Sequence, residues 1–188
     1  MCKKTRQRQS GLTLVELIVF IVIVSVGVAG ILVTYDTVVR HSADPMARKQ
    51  ALAIAESLLL EIEQQPFTWC DPQDENVTTA ASAAGCATSS QAALAPTPGE
   101  SRGSNVTPFD NVVDYAGYTA PATDILGNAS AALSGYNATV VITRAGGAAP
   151  FAGFPPDAVL RIAVTVIGGG ETVTLVGYRT RYAPNAAG

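Results

Sequence analysis

The sequence predicts an α+β fold, a long N-terminal helix laid against a C-terminal antiparallel sheet, on three observations. From Leu12 to Tyr35, 24 residues in a row carry one charge, Glu16. Ala51, Ile54, Ala55, Leu58 and Ile62 then recur at helical spacing. The last third changes period to β-branched runs, the mark of strands. A helix with one apolar face must bury it, and a sheet of three or four strands is the surface on offer.

The apolar run comes first. A helix of that length spans roughly 36 Å, enough to cross a hydrocarbon core. Lys3, Lys4, Arg6 and Arg8 precede it without an intervening acid. The positive-inside rule holds such a block in the cytoplasm and sends the remaining chain across the membrane. On residues alone three readings of this terminus stay open. It is a secretory signal cut near Gly27, Ala29 and Gly30, an uncleaved anchor, or a segment cut on the cytoplasmic side after Gly11. Glu16 bears on the choice. An acidic residue at a helix centre in hydrocarbon costs about 2.5–3.5 kcal/mol on insertion scales, less near the interface. Neither a plain signal nor a plain anchor needs that cost. A cut at Gly11–Leu12 supplies a reason, because the new α-amine of Leu12 lies four residues from Glu16. The carboxylate of one subunit then neutralises the terminal amine of its neighbour in low dielectric.

The stretch SGLTLVELIVFIVIVSVGVAG resembles the N-terminal segment of type IV prepilins and type II secretion pseudopilins. The resemblance rests on the short basic leader, Gly11, Thr13, Glu16 and the unbroken apolar run. It implies cleavage after Gly11 by a prepilin peptidase, a mature chain starting at Leu12, and Glu16 as its fifth residue, acting in assembly. It also implies N-methylation of Leu12, although Leu12 stands where many members have Phe. The partners implied are other pilin or pseudopilin subunits, the peptidase, an inner-membrane assembly platform and the lipid bilayer. The apolar run has no proline, unlike many major pilins.

The organisation that follows is a leader over 1–11, a transmembrane assembly helix over 12–35 and an amphipathic helix over 36–66. A loop-rich region over 67–135 and the sheet over 136–188 complete it. Within the second helical stretch Asp44 and Pro45 fit a helix start, with Asp44 as cap. Alternatively Pro45 kinks one continuous helix. Lys49, Glu56, Glu61 and Glu63 are expected on the solvent face, and Pro66 ends the pattern.

Cys70 and Cys86 lie beyond the membrane run, where disulfides persist. A bridge between them closes a loop of about 15 residues and stabilises by about 3 kcal/mol on the chain-entropy model. Free thiols or zinc ligands are the alternative, unsupported by a CxxC pair or a nearby histidine. Residues 71–108 are poor in large apolar side chains, which predicts a surface loop tied by the two cysteines and loose after Gln91.

YNATVVITR (136–144), AVLRIAVTVI (158–167) and ETVTLVGYRTRYA (171–183) are the expected strands, with Gly168-Gly169-Gly170 as a hairpin loop. Before them, FDNVVDYAGY (109–118) spaces Asp110 and Asp114 by four residues among Phe109, Tyr115 and Tyr118. A capped turn with core aromatics explains this spacing. An acid/base pair or a calcium site is the alternative, and two aspartates are a thin nucleus for an ion that takes six to eight oxygens. The part FDNVVDY (109–115) and HSADPMARKQALAIAESLLLEI (41–62) together resemble MshD-type minor pilins of mannose-sensitive haemagglutinin systems.

Other chemistry is sparse. His41, the single histidine, stands just outside the apolar run, and the sequence offers no Ser/His/Asp or Cys/His pattern around it. No zinc spacing or nucleotide fingerprint occurs, no cofactor is expected, and the chain reads as a substrate of enzymes rather than an enzyme. Loss of the leader leaves 8 basic residues against 15 acidic ones, a net charge of −7, which argues against nucleic-acid binding. The expected location is the bacterial inner membrane, single-pass, with the C-terminal domain in the periplasm, and then a pilus or pseudopilus.

Overall fold

The computed structural model describes Gly11 and residues 13–186, and for residues 39–44 the backbone alone. Leu12, the leader residues 1–10, and the side chains of His41 and Asp44 therefore lie outside the described residues. The chain divides into two compact units, Met1–Ala43 and Asp44–Gly188. Helix α1, Leu14–Gln64, contributes to both. Pro45 lies inside α1 rather than at a helix start. A proline removes one backbone hydrogen bond, a loss that a helix with good formers on either side absorbs.

From Leu17 to Tyr35 α1 carries no charged side chain on any face, and its side chains are exposed from Leu14 to Val38. Ser25, Thr34 and Thr37 return their hydroxyls to the carbonyls four residues back, at 2.7, 2.9 and 2.9 Å. No hydroxyl among these three is left without a partner, as a nonpolar medium requires.

In the second unit the helix has a single inner face. Ala51, Ala55, Leu58 and Ile62 are buried, with Ile54 and Leu59 at the margin. They meet a four-stranded antiparallel sheet of order β1-β2-β3-β4: β1 Thr119–Pro121, β2 Asn137–Arg144, β3 Val159–Gly168 and β4 Glu171–Thr180. Ala138, Val140 and Ile142 of β2 and Leu160, Ile162, Val164 and Val166 of β3 point at the helix. Burying each large aliphatic side chain contributes about 1.5–3 kcal/mol. The pairings Val140↔Val164 and Val164↔Leu175 carry that inner face across three strands. The fold class is thus α+β, as the period changes indicate.

β1 falls inside the region expected to be loop. It has three residues and ends on a proline, so it pairs on one side only, with β2. The β3–β4 connection is shorter than the glycine triplet suggests. Gly168 still belongs to β3, and Gly169 and Gly170 alone form the turn at φ of +60° and +81°. Two positive φ values suit the tight hairpin turn that matches strand twist. At Gly146 the limit is space: a Cβ there would sit 1.9 Å from the Pro155 carbonyl oxygen, which closes the β2–β3 loop on itself.

The region after α1 is well tied. Cys70 and Cys86 form a disulfide. Asp74 inside that loop accepts five hydrogen bonds, from the N–H groups of Asn76, Ala87, Thr88 and Ser89 and the Thr88 hydroxyl. The backbone donors, Ala87 first, hold its carboxyl well below the usual range. The C-terminal tail closes over the same loop, Asn185 donating to the carbonyls of Val77 and Ala80 at 3.0 and 2.9 Å. Beside it the Arg181 guanidinium lies between the rings of Phe67 and Trp69, 3.9 Å from each. Burial lowers its pKa to about 10.

Candidate functional site

Gly11 is exposed, and α1 begins three residues later. The start of the helix is set by Thr13, whose hydroxyl accepts the Glu16 N–H at 3.4 Å while its carbonyl accepts the Leu17 N–H at 3.2 Å. Thr13-x-x-Glu16 has the spacing of a capping box, a local signal for the helix start independent of the apolar run. Glu16 lies in the first turn, where the positive end of the helix dipole favours a carboxylate. Its side chain is exposed, and around it Leu14, Val15, Leu17 and Ile18 are exposed too. The 25 residues Leu14–Val38 are long and apolar enough to cross a membrane. The segment thus presents an acid at one end of an uncovered apolar cylinder. Lipid or neighbouring helices of the same kind can cover that cylinder, and a cation placed near residue 16 can neutralise the acid. Leu12, the residue expected to supply such a cation, lies outside the described residues.

Asp110 and Asp114 do not act as a pair. Asp114 is fully buried and caps the 3₁₀ turn Val112–Tyr115, completing a capping box with Asn111. Its two oxygens take the N–H groups of Thr97 (3.2 Å), Asp110 (3.3 Å) and Asn111 (2.8 Å). Burial raises its pKa against those bonds. Asp110 faces elsewhere: the Gln73 side-chain amide donates to it, and its oxygens approach Asp71 and Glu100. The aromatics of this stretch stack edge to face, Phe109–Tyr115 at 5.1 Å and Phe109–Tyr118 at 6.3 Å.

Glu61, expected in solvent, is buried. Arg102 grips it with two parallel bonds, Nε to Oε1 at 2.8 Å and Nη2 to Oε2 at 2.7 Å, with side chains only 9% and 7% exposed. The Tyr115 hydroxyl donates to Oε1 at 2.8 Å, and Arg102 Nη1 donates to the Thr123 hydroxyl at 2.8 Å. Burial and the Glu61 charge push the Tyr115 phenol far above its usual value. This network fastens the segment after Gln91 to α1, so that segment is not loose. Gln91 is itself buried and donates to Asp71 and Thr97.

A groove of about 310 Å³ opens between α1 and the loops before β2, lined by Ile54, Ser57, Leu58, Tyr118, Ala122 and Leu133 among others. Arg102, at its rim, is already engaged by Glu61 and Thr123.

Compared with known families, residues 6–32 match the prokaryotic N-terminal methylation motif, the mark of type IV prepilin-like precursors. The matched span contains Gly11, Leu12 and Glu16 and most of the apolar part of α1. No curated protein and no solved structure matches the chain.

Proposed function

We propose that the chain is a minor pilin or pseudopilin, processed by a prepilin peptidase between Gly11 and Leu12 and packed through its apolar helix into a type IV pilus or a type II secretion pseudopilus. One coincidence carries this reading. The methylation motif, a membrane-length helix and an acid in that helix's first turn fall on the same stretch. The α+β unit that follows is the kind of globular domain pilin subunits bear. Its partners are then sibling subunits, the peptidase, the inner-membrane assembly platform and, before extraction, the bilayer. The C-terminal unit faces the periplasm, Leu12 is the methylated residue, and the chain is a substrate rather than a catalyst. The minor-pilin assignment, MshD-like in character, rests on resemblance in residues 41–62 and 109–115 alone.

The leader tests the processing step. In a host carrying the cognate peptidase, Gly11→Leu keeps the chain at full length in the inner membrane and out of sheared surface fibres. Immunoblotting of the membrane and shear fractions reads the outcome. Normal shortening of that variant, or its normal appearance in fibres, contradicts the proposal.

A further inference from the structure

The two edges of the sheet are closed unequally. β1 is three residues long and ends on Pro121, which offers no N–H to a further strand. β4 has ten residues, Glu171–Thr180, paired to β3 without a break in register. Its tight turn makes Gly168 and Glu171 a hydrogen-bonded pair, and the Arg181 N–H donated to the Ala158 carbonyl keeps the same alternation at the far end. The N–H and C=O groups of Thr172, Thr174, Val176 and Tyr178 therefore point away from β3, and no described residue bonds them. Folded proteins protect such edges with short strands, proline, charge or bulges. Residues 172–178 carry none of these, since Glu171 and Arg179 lie outside them.

A second observation shows what this edge lacks. Beside it, apolar side chains stay half-covered on both layers. Val173 and Leu175, on the inner face of β4, are only partly buried, whereas their partners Val166 and Val164 on β3 are fully buried. From α1 Leu59 reaches the strand, since a Cβ at Gly177 would sit 3.0 Å from its Cδ1. Leu52, two helical turns earlier on the same stripe, is 42% exposed. A fifth strand paired to β4 would set every second side chain on this shelf. The same stripe carries Glu56 and Glu63, and neither makes an ion pair among the described residues. Seven residues separate them, about 10 Å along the helix.

We propose that the β4 edge docks an extended segment of a partner protein as a fifth strand, apolar at its inward positions and carrying lysine or arginine where it passes Glu56 and Glu63. Backbone bonds to β4 hold the segment, and the shelf reads its alternate side chains. Charge selects against a second copy of this chain. Two β4 strands paired about a two-fold axis would bring the Glu56 and Glu63 stripes of both copies together, and like charges repel. The one cation of β4, Arg179, is already turned to the Gln65 carbonyl and does not offset them.

The test uses the full-length chain in detergent micelles and a blocked synthetic peptide, TVTKTVTKTV, whose lysines stand about 13 Å apart on one strand face. Hydrogen exchange followed by nuclear magnetic resonance should show slowed exchange at the amides of Thr172, Thr174, Val176 and Tyr178 when the peptide binds. The same peptide with glutamate in place of lysine should bind at least about tenfold more weakly, as attraction turns to repulsion at two places. Glu56→Gln combined with Glu63→Gln should remove most of that preference. Val176→Pro deletes one outward N–H and should weaken the lysine peptide by about fivefold or more, with the cooperative unfolding of the domain retained. Unchanged exchange at these amides under millimolar peptide overturns the site, and equal affinity for the two peptides overturns its chemistry. Protection of the same amides without peptide, in step with dimer formation, gives the edge to a second copy and overturns the proposal as well.

Discussion

Arg102→Ala is expected to lower the unfolding free energy by about 3–5 kcal/mol, the cost of stranding a charge when one partner of a buried pair is removed. Glu61 would keep only the Tyr115 hydroxyl, and Thr123 would lose its donor. For a domain of this size the melting point falls by roughly 10 °C. Urea or thermal unfolding followed by circular dichroism measures it. The paired variant Glu61→Gln with Arg102→Met should recover much of the loss, since removing both charges leaves nothing uncompensated. A fall below 1 kcal/mol for Arg102→Ala would mean that the pair is wet and contributes as surface bridges do.

Glu16→Ala should abolish incorporation into fibres while leaving cleavage and helix formation intact. The helix start survives because the bond from residue 16 to Thr13 comes from its backbone N–H. What is lost is the acid. In low dielectric a carboxylate facing a free α-amine is worth far more than in water, so assembly should drop by at least about tenfold. Glu16→Gln separates charge from shape, since it keeps the length and polarity of the side chain and should fail as well. Shear fractionation with immunoblotting reads both variants. If the N-terminus were only an anchor for a binding domain, neither substitution would change anything beyond the first turn.

Much of the fold is written locally. The face Ala51–Ala55–Leu58–Ile62 follows from a period of 3.6, the strands follow from β-branching, and Gly169-Gly170 marks the turn between β3 and β4. The N-terminal segment is legible for the same reason, since its whole message lies within residues 6–32. What escaped depends on distance along the chain. Glu61 sits on the edge of the buried face, but its burial requires Arg102, 41 positions away in a stretch whose composition suggests looseness. The meeting of Asp71, Glu100 and Asp110 likewise has no local signature; the spacing of Asp110 and Asp114 drew attention to a pair that the 3₁₀ turn splits into separate tasks. Pro45 shows a limit of another kind. Asp-Pro reads equally as a helix start or as a proline carried within a helix, and only the turns on both sides decide. Thr13-x-x-Glu16 is the reverse case, a helix-start spacing that is wholly local.

The proposed assembly role depends on whether a peptide bond is cut ahead of the apolar helix. Intact-mass spectrometry of the wild-type protein purified from its native membrane or fibre addresses that directly. The reading requires a chain lacking residues 1–11, with Leu12 as its first residue and one added methyl group if methylation occurs. A chain that still carries Met1, or one that starts beyond residue 26, would contradict it.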